Sequence, residues 1–219
     1  MRCLVVFLIV FVAAEEVLSQ NRWRIELGTG PAYNFRVPLS ITQARFPEIV
    51  LIAHFRADSF ERPILWVWRI GYWKDRSGWE LEALHTKVFL GNSPPSVTEF
   101  AVSHGINFFS LNRAWILGDY RVHAGVGLTL SHPENIVRGV KLAESGGMFH
   151  VGYYVSGPTV NLSAGRSTPV LDRFFLTHEV RVSLGPISVP VAGGTARFTA
   201  VVAQLTISAG WASAPPERR

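Results

Sequence analysis

The sequence predicts an all-β fold, an antiparallel up-and-down transmembrane β-barrel of eight strands, with ten strands as the alternative. Three observations lead there. Apolar and polar residues alternate over long stretches, as in Tyr120 to Ser131 and Val201 to Trp211, which is the period of a strand with two different environments. These stretches exceed the usual five or six residues and suit the roughly nine to eleven that cross a bilayer at a tilt. Beyond the first twenty residues, nothing approaches the roughly eighteen consecutive apolar residues of a membrane-spanning helix. The faces opposite the apolar rows carry Glu80, Glu82, Arg121, Glu179 and Arg181 among Gly and Ser. A small barrel can enclose such groups as a paired polar interior while its apolar face meets lipid.

Taken from the N-terminus, Met1-Arg2 and the apolar run Leu4 to Ala14 read as a signal peptide. The small residues favour cleavage after Ser19, giving 1–19, with a site before Glu15 as the alternative. The sole cysteine, Cys3, leaves with that segment, so the mature chain has neither a disulfide framework nor a thiolate site. The segment 20–46 is expected to cap the barrel or to add strands at 23–31 and 35–43. Eight alternating segments then make the barrel, within 47–211: 47–56, 63–73, 79–90, 97–109, 118–131, 148–163, 173–184 and 195–211. Lys74 to Gly78 is a tight turn and therefore periplasmic; the long connection His132 to Gly147 is therefore external. Trp211 ends the last alternating run, and 212–219 is a loose tail.

Composition limits the function classes. With 48% hydrophobic and 17% charged residues in 219, the chain is one domain and not intrinsically disordered. The net charge of +5, from 21 Lys+Arg against 16 Asp+Glu, is spread without a basic block. A nucleic-acid stripe is therefore not expected.

Hairpin registers estimated from loop centres propose where polar side chains meet. Centred on 91–95 and 110–117, they align Glu82, Asn107 and Arg121 as one interior row, with Ser103 and His123 a step or two along it. Glu82 with Arg121, and Glu179 with Arg181, are expected to fill the interior, because buried charges must be paired. His85 and His104 would share the outer face with Trp79, Leu81 and Ala83, as His178 would with Phe174 and Leu176. An imidazole facing lipid raises a functional question. Ser131-His132-Pro133-Glu134 offers nucleophile, base and orienter at a strand end. Neighbouring residues of one strand point apart, however, so Ser131 and His132 cannot meet directly. The same alternation separates His123 from His85 and His104, so no metal and no cofactor are expected.

On these strands and the aromatic end at Trp211, the chain resembles the small outer-membrane β-barrels of Gram-negative bacteria. These include structural barrels, hydrophobic-molecule channels, and the lipid A 3-O-deacylase and palmitoyltransferase. The resemblance implies residence in the outer membrane, contact with its lipid and lipopolysaccharide, and assembly through the C-terminal strand by the barrel-assembly machinery. The deacylase family carries His-x-Ser-Asn on a strand, with a Glu on a neighbouring one. The nearest match, His104-Gly105-Ile106-Asn107, puts Ile106 in the place of the nucleophile. A catalytic set by that resemblance would be His104 and Asn107, with Ser103 substituting and His85 nearby. Two roles follow. One is an integral barrel with a structural or small-ligand-binding duty; the other is an acyl hydrolase or acyltransferase acting on lipid A or phospholipid.

Overall fold

A computed structural model describes residues 21–143 and 145–214. The expected signal peptide and most of the expected tail lie outside the described residues. The strands are β1 (Arg22–Thr29), β2 (Ala32–Asn34), β3 (Val37–Gln43), β4 (Ile49–Ala53), β5 (Phe55–Arg56), β6 (Trp66–Lys74) and β7 (Ser77–Leu90). They continue as β8 (Val97–Leu117), β9 (Tyr120–Ser131), β10 (Glu134–Val137), β11 (Val140–Lys141), β12 (Tyr154–Leu171), β13 (Phe174–Val191) and β14 (Gly194–Ala212).

Antiparallel ladders run β1–β6–β7–β8–β9–β12–β13–β14 and back from β14 to β1. The result is a closed ring of eight staves, which leaves no free sheet edge at that level. Residues 22–43, expected as a cap or extra strands, form the first stave. Arg24 pairs with Ala212 and Gly194 with Gln43, so β1, β2 and β3 run along the whole of β14. The count stays at eight because the expected strands 47–56 and 63–73 are two halves of the second stave. Three connections at one end are two-residue turns, at Asp75-Arg76, Gly118-Asp119 and Asp172-Arg173. The region 110–117, expected as a turn, is strand, and β8 continues to Leu117.

The burial pattern divides the ring into two tiers. In β13, Phe175, Thr177, Glu179, Arg181 and Ser183 are inward and buried while Phe174, Leu176, Val180 and Leu184 are exposed. Above Gly185 the polarity inverts. Ile187, Val189 and Val191 are buried inside, and Pro186 and Ser188 lie outside. The next stave, β14, does the same. Ser208, Thr206 and Gln204 face inward below, whereas Val202, Ala200, Phe198 and Ala196 do so above, with Arg197 and Thr199 outside. The lower tier is thus polar within and apolar without, the requirement of a barrel in hydrocarbon. On β13 and β14 the upper tier is apolar within and polar without, the pattern of a strand standing in water, while the second stave presents Val50 and Ile52 outward at that level. From Phe174 to Leu184, at about 3.4 Å per residue and a tilt near 40°, the strand rises about 25 Å, one apolar band.

The second stave is interrupted where the tiers meet. β3 pairs with β4 and β1 with β6, and residues 57–65 leave the ladder between them. Side chains cover the gap: Asn34 Nδ2 donates to Lys87 O (3.0 Å), Lys87 Nζ to Glu61 O (2.9 Å) and Thr29 Oγ1 to Leu65 O (2.6 Å). Across the upper mouth, the β10–β11 hairpin brings Arg138 onto Gln43 and Pro47 O, with its guanidinium 4.7 Å from the Phe46 ring centre.

Candidate functional site

The lower interior is an ion-pair lattice drawn from six staves. Arg181 holds Glu82 by two bonds (2.6 and 2.8 Å) and reaches Glu179 Oε1 at 2.5 Å. Arg69 donates Nε to Glu82 Oε2 (2.9 Å) and Nη2 to Glu179 Oε1 (3.0 Å), and its Nε lies 3.2 Å from Glu80 Oε2. Asn161 Nδ2 donates to Glu82 Oε1 at 2.7 Å. One layer below, Arg121 holds Glu26 by two bonds (2.6 and 3.1 Å) and donates to Thr177 Oγ1 (2.7 Å). His123 sits between Ser163 Oγ (2.8 Å), Glu179 Oε2 (3.1 Å) and Glu80 Oε2 (3.3 Å). Paired guanidinium and carboxylate groups offset each other's buried charge, and the lattice closes the lower lumen with side chains. Room for it comes from glycine: a Cβ on Gly71 would lie 2.4 Å from Glu80 Cγ.

The expected interior residues Glu82, Arg121, Glu179 and Arg181 all point inward and are buried. Their partners differ from the expected row. Glu82 lies opposite Ser110, Asn107 opposite His85 and Leu130, and Arg121 opposite Ile116. The irregularity between Thr86 and Val88 shifts the β7–β8 register and the turn at 118–119 shifts β8–β9; Glu82 pairs with Arg69 and Arg181, and Arg121 with Glu26. A further correction is that the polar network fills only the lower tier. Glu26 and Arg69 escaped the sequence reading; each alternates with apolar neighbours, Ile25 and Leu27 or Trp68 and Ile70, and that signal was available.

The upper interior, the chamber of the barrel, is filled by a cluster of apolar side chains. Leu39, Ile41, Val102, Ile106, Val189 and Val202 are among its fully buried walls. Within it Phe55 lies 5.0 Å from Phe198 and 6.3 Å from Phe100, ring centre to ring centre. Eight staves enclose space for side chains or for one small ligand.

The four residues of the expected catalytic set divide between two places. His85 keeps the outer-face phase of Trp79 and Leu81 but is buried, stacked on Trp66 at 5.4 Å. Its Nδ1 donates to Asn107 Oδ1 at 2.9 Å, with Asn107 also bonded to Leu130 O. Gly105 makes this possible: its φ of +113° needs glycine, and a Cβ there would come within 2.3 Å of the His85 ring. His104 lies exposed at the outer rim, on the outer side as His85 is by phase, while His85 pairs across the strands with Asn107. At the rim His104 meets Glu134, with Ser103 Oγ 3.2 Å from its Nδ1. Ser103 and Glu134 thus address the same nitrogen. A nucleophile–base–orienter relay needs them on opposite nitrogens, so this arrangement does not activate Ser103. The other triad considered also separates: Ser131 turns inward to Ser156 Oγ (2.6 Å), while His132 and Glu134 remain at the rim. His178 is exposed, in phase with Phe174 and Leu176 as expected.

No family model and no curated protein matches the chain. Among solved structures, the outer membrane protein AlkL in DMPC lipid bilayers is similar at 10% identity and a TM-score of 0.49, over 97% of this chain and 100% of that one. OprG from Pseudomonas aeruginosa is similar at 10% identity and a TM-score of 0.44, over 87% of this chain and 96% of that one. Ail, the attachment invasion locus protein of Yersinia pestis, is similar at 7% identity and a TM-score of 0.36, over 86% and 99%. The chain is similar to these small outer-membrane barrels in strand architecture, and at such identities the likeness concerns fold alone.

Proposed function

We propose that this protein is an integral outer-membrane barrel, exported by its N-terminal segment, that accepts one small apolar molecule in its upper chamber. The observation that carries the reading is the inversion of polarity along β13 and β14. It supports placing the lower tier in lipid, with its short turns in the periplasm and the apolar chamber on the outer side. A molecule in the chamber meets the ion-pair lattice below and the Arg138 contacts above. The break in the second stave at 57–65 lies at the level of the lipid boundary. An apolar guest reaches the membrane there, away from the charged lattice, by parting the Asn34, Lys87 and Thr29 contacts that cover the break. Lipid and lipopolysaccharide contact the outer belt, and the strand ending near Trp211 serves recognition by the barrel-assembly machinery.

The test is a titration of mature protein in detergent micelles with the apolar fluorophore N-phenylnaphthylamine, read against empty micelles. The expected result is one saturable site, weakened about tenfold or more by Phe198→Arg, since a charge without a partner in the chamber is strongly disfavoured. Glu82→Gln, in the lower lattice, should leave the affinity unchanged. Absence of saturable binding overturns the reading, as does unchanged binding in a Phe198→Arg protein that keeps its heat-modifiable migration.

A further inference from the structure

The outer rim gathers three metal-ligating side chains that the chamber and the lattice do not use. His104 comes from the bulged part of β8, His132 from the break between β9 and β10, and Glu134 from the start of β10. Chain pairing fixes them near one another: His132 N donates to Gly105 O at 3.1 Å, and Glu134 lies opposite Ala101. One ligand atom from each falls within 4.8 Å of the others. His132 Nδ1 is 3.6 Å from Glu134 Oε1, the same oxygen that His104 Nδ1 contacts. The imidazole rings are 4.9 Å apart, and Tyr153 packs on His132 at 5.0 Å while its hydroxyl donates to His104 O.

Two features distinguish this cluster from a surface His–Glu contact. The carboxylate oxygen converges with two imidazole nitrogens, although one His would satisfy it. In addition, His132 Nδ1 is buried without a hydrogen-bond partner, and the His132 side chain is only 13% exposed. A buried polar atom without a partner is disfavoured by about 1–3 kcal/mol, and a cation seated at the shared oxygen would give it one. His104, at 60% exposure, leaves the fourth direction open to solvent.

We propose that His104, His132 and Glu134 bind a divalent transition metal of the zinc class at the outer rim. Two imidazoles and one carboxylate with an open position form a donor set suited to such an ion. The ion would join the β8 bulge to the base of the β10–β11 hairpin, whose tip carries Arg138 across the mouth. Metal occupancy would then stiffen the cover of the chamber.

The test uses tag-free mature protein in micelles, stripped with chelator and titrated calorimetrically with Zn²⁺, and with Co²⁺ for its visible absorption. Expected is one equivalent bound, with His104→Ala, His132→Ala and Glu134→Gln each weakening affinity about tenfold or more. His54→Ala, an exposed histidine elsewhere, should leave affinity unchanged. Limited proteolysis of the 142–153 connection should slow when Zn²⁺ is added to the wild type, and not in His132→Ala. Heat-modifiable migration establishes that each variant is folded. No stoichiometric binding, or binding that survives in the folded His104→Ala/His132→Ala double variant, overturns the proposal.

Discussion

At the scale of single residues, charge pairing and backbone geometry set the sensitivities. Glu82 accepts from Arg69, Arg181 and Asn161 at once, so removing it leaves two buried guanidinium groups to share Glu179 and Glu80. Glu82→Leu should lower stability in denaturant by about 3–5 kcal/mol. Glu82→Leu with Arg181→Met should cost less than the sum of the two single changes, because the second removes a charge that the first deprived of its two-bond partner. Additive effects in that cycle would argue against direct pairing. Gly105→Ala should also destabilise, by about 1–3 kcal/mol, since it combines a left-handed backbone with a collision against His85. Trp66 stacks on that imidazole, so its fluorescence should shift in the same variant.

At the scale of the element, β13 contains the membrane boundary within one strand. Arginine placed at outward positions along it measures the surrounding medium. Val180→Arg should cost about 2–4 kcal/mol of refolding stability in lipid, whereas Ser188→Arg should cost about 0–1. Equal costs at the two positions would mean that the whole strand lies in one environment. The β10–β11 hairpin provides a second test. Arg138→Ala removes its hold on Gln43 and Pro47 O, so exchange of a chamber-bound fluorophore, followed by stopped flow, should accelerate with little change in overall stability.

At the scale of the whole molecule, closure of the ring turns two amphipathic patterns into two compartments. Neither compartment belongs to one segment. The lattice draws on β1, β6, β7, β9, β12 and β13, and the chamber on strands from β3 to β14. A closed barrel should therefore unfold as one unit, with compact migration in detergent until heated. Progressive loss of that compact form over a broad temperature range would indicate that the tiers come apart separately.

Much of this architecture was legible along the chain, because a residue's face in a strand follows from parity alone. Alternation indicated the staves, and Asp75-Arg76 the kind of turn that ends them. The inversion on β14 was legible as well: Val202, Ala200 and Phe198 continue the inward phase of Gln204 and Thr206. What parity leaves open is which residues stand opposite one another. A turn misplaced by a few residues moves every cross-strand partner, and so Glu82 was assigned to Arg121 and not to Arg69 and Arg181. The meeting of His104 with His132 and Glu134 was equally closed to sequence reading. It depends on the irregular pairing of β8 around Gly105 and on the break between Ser131 and Glu134. The sequence by itself determined the all-β alternation and the inward face of most strands, since these are local properties of a two-residue repeat. Only the tertiary structure decided the partners and the rim cluster, since these depend on register and on ring closure between residues distant in the chain.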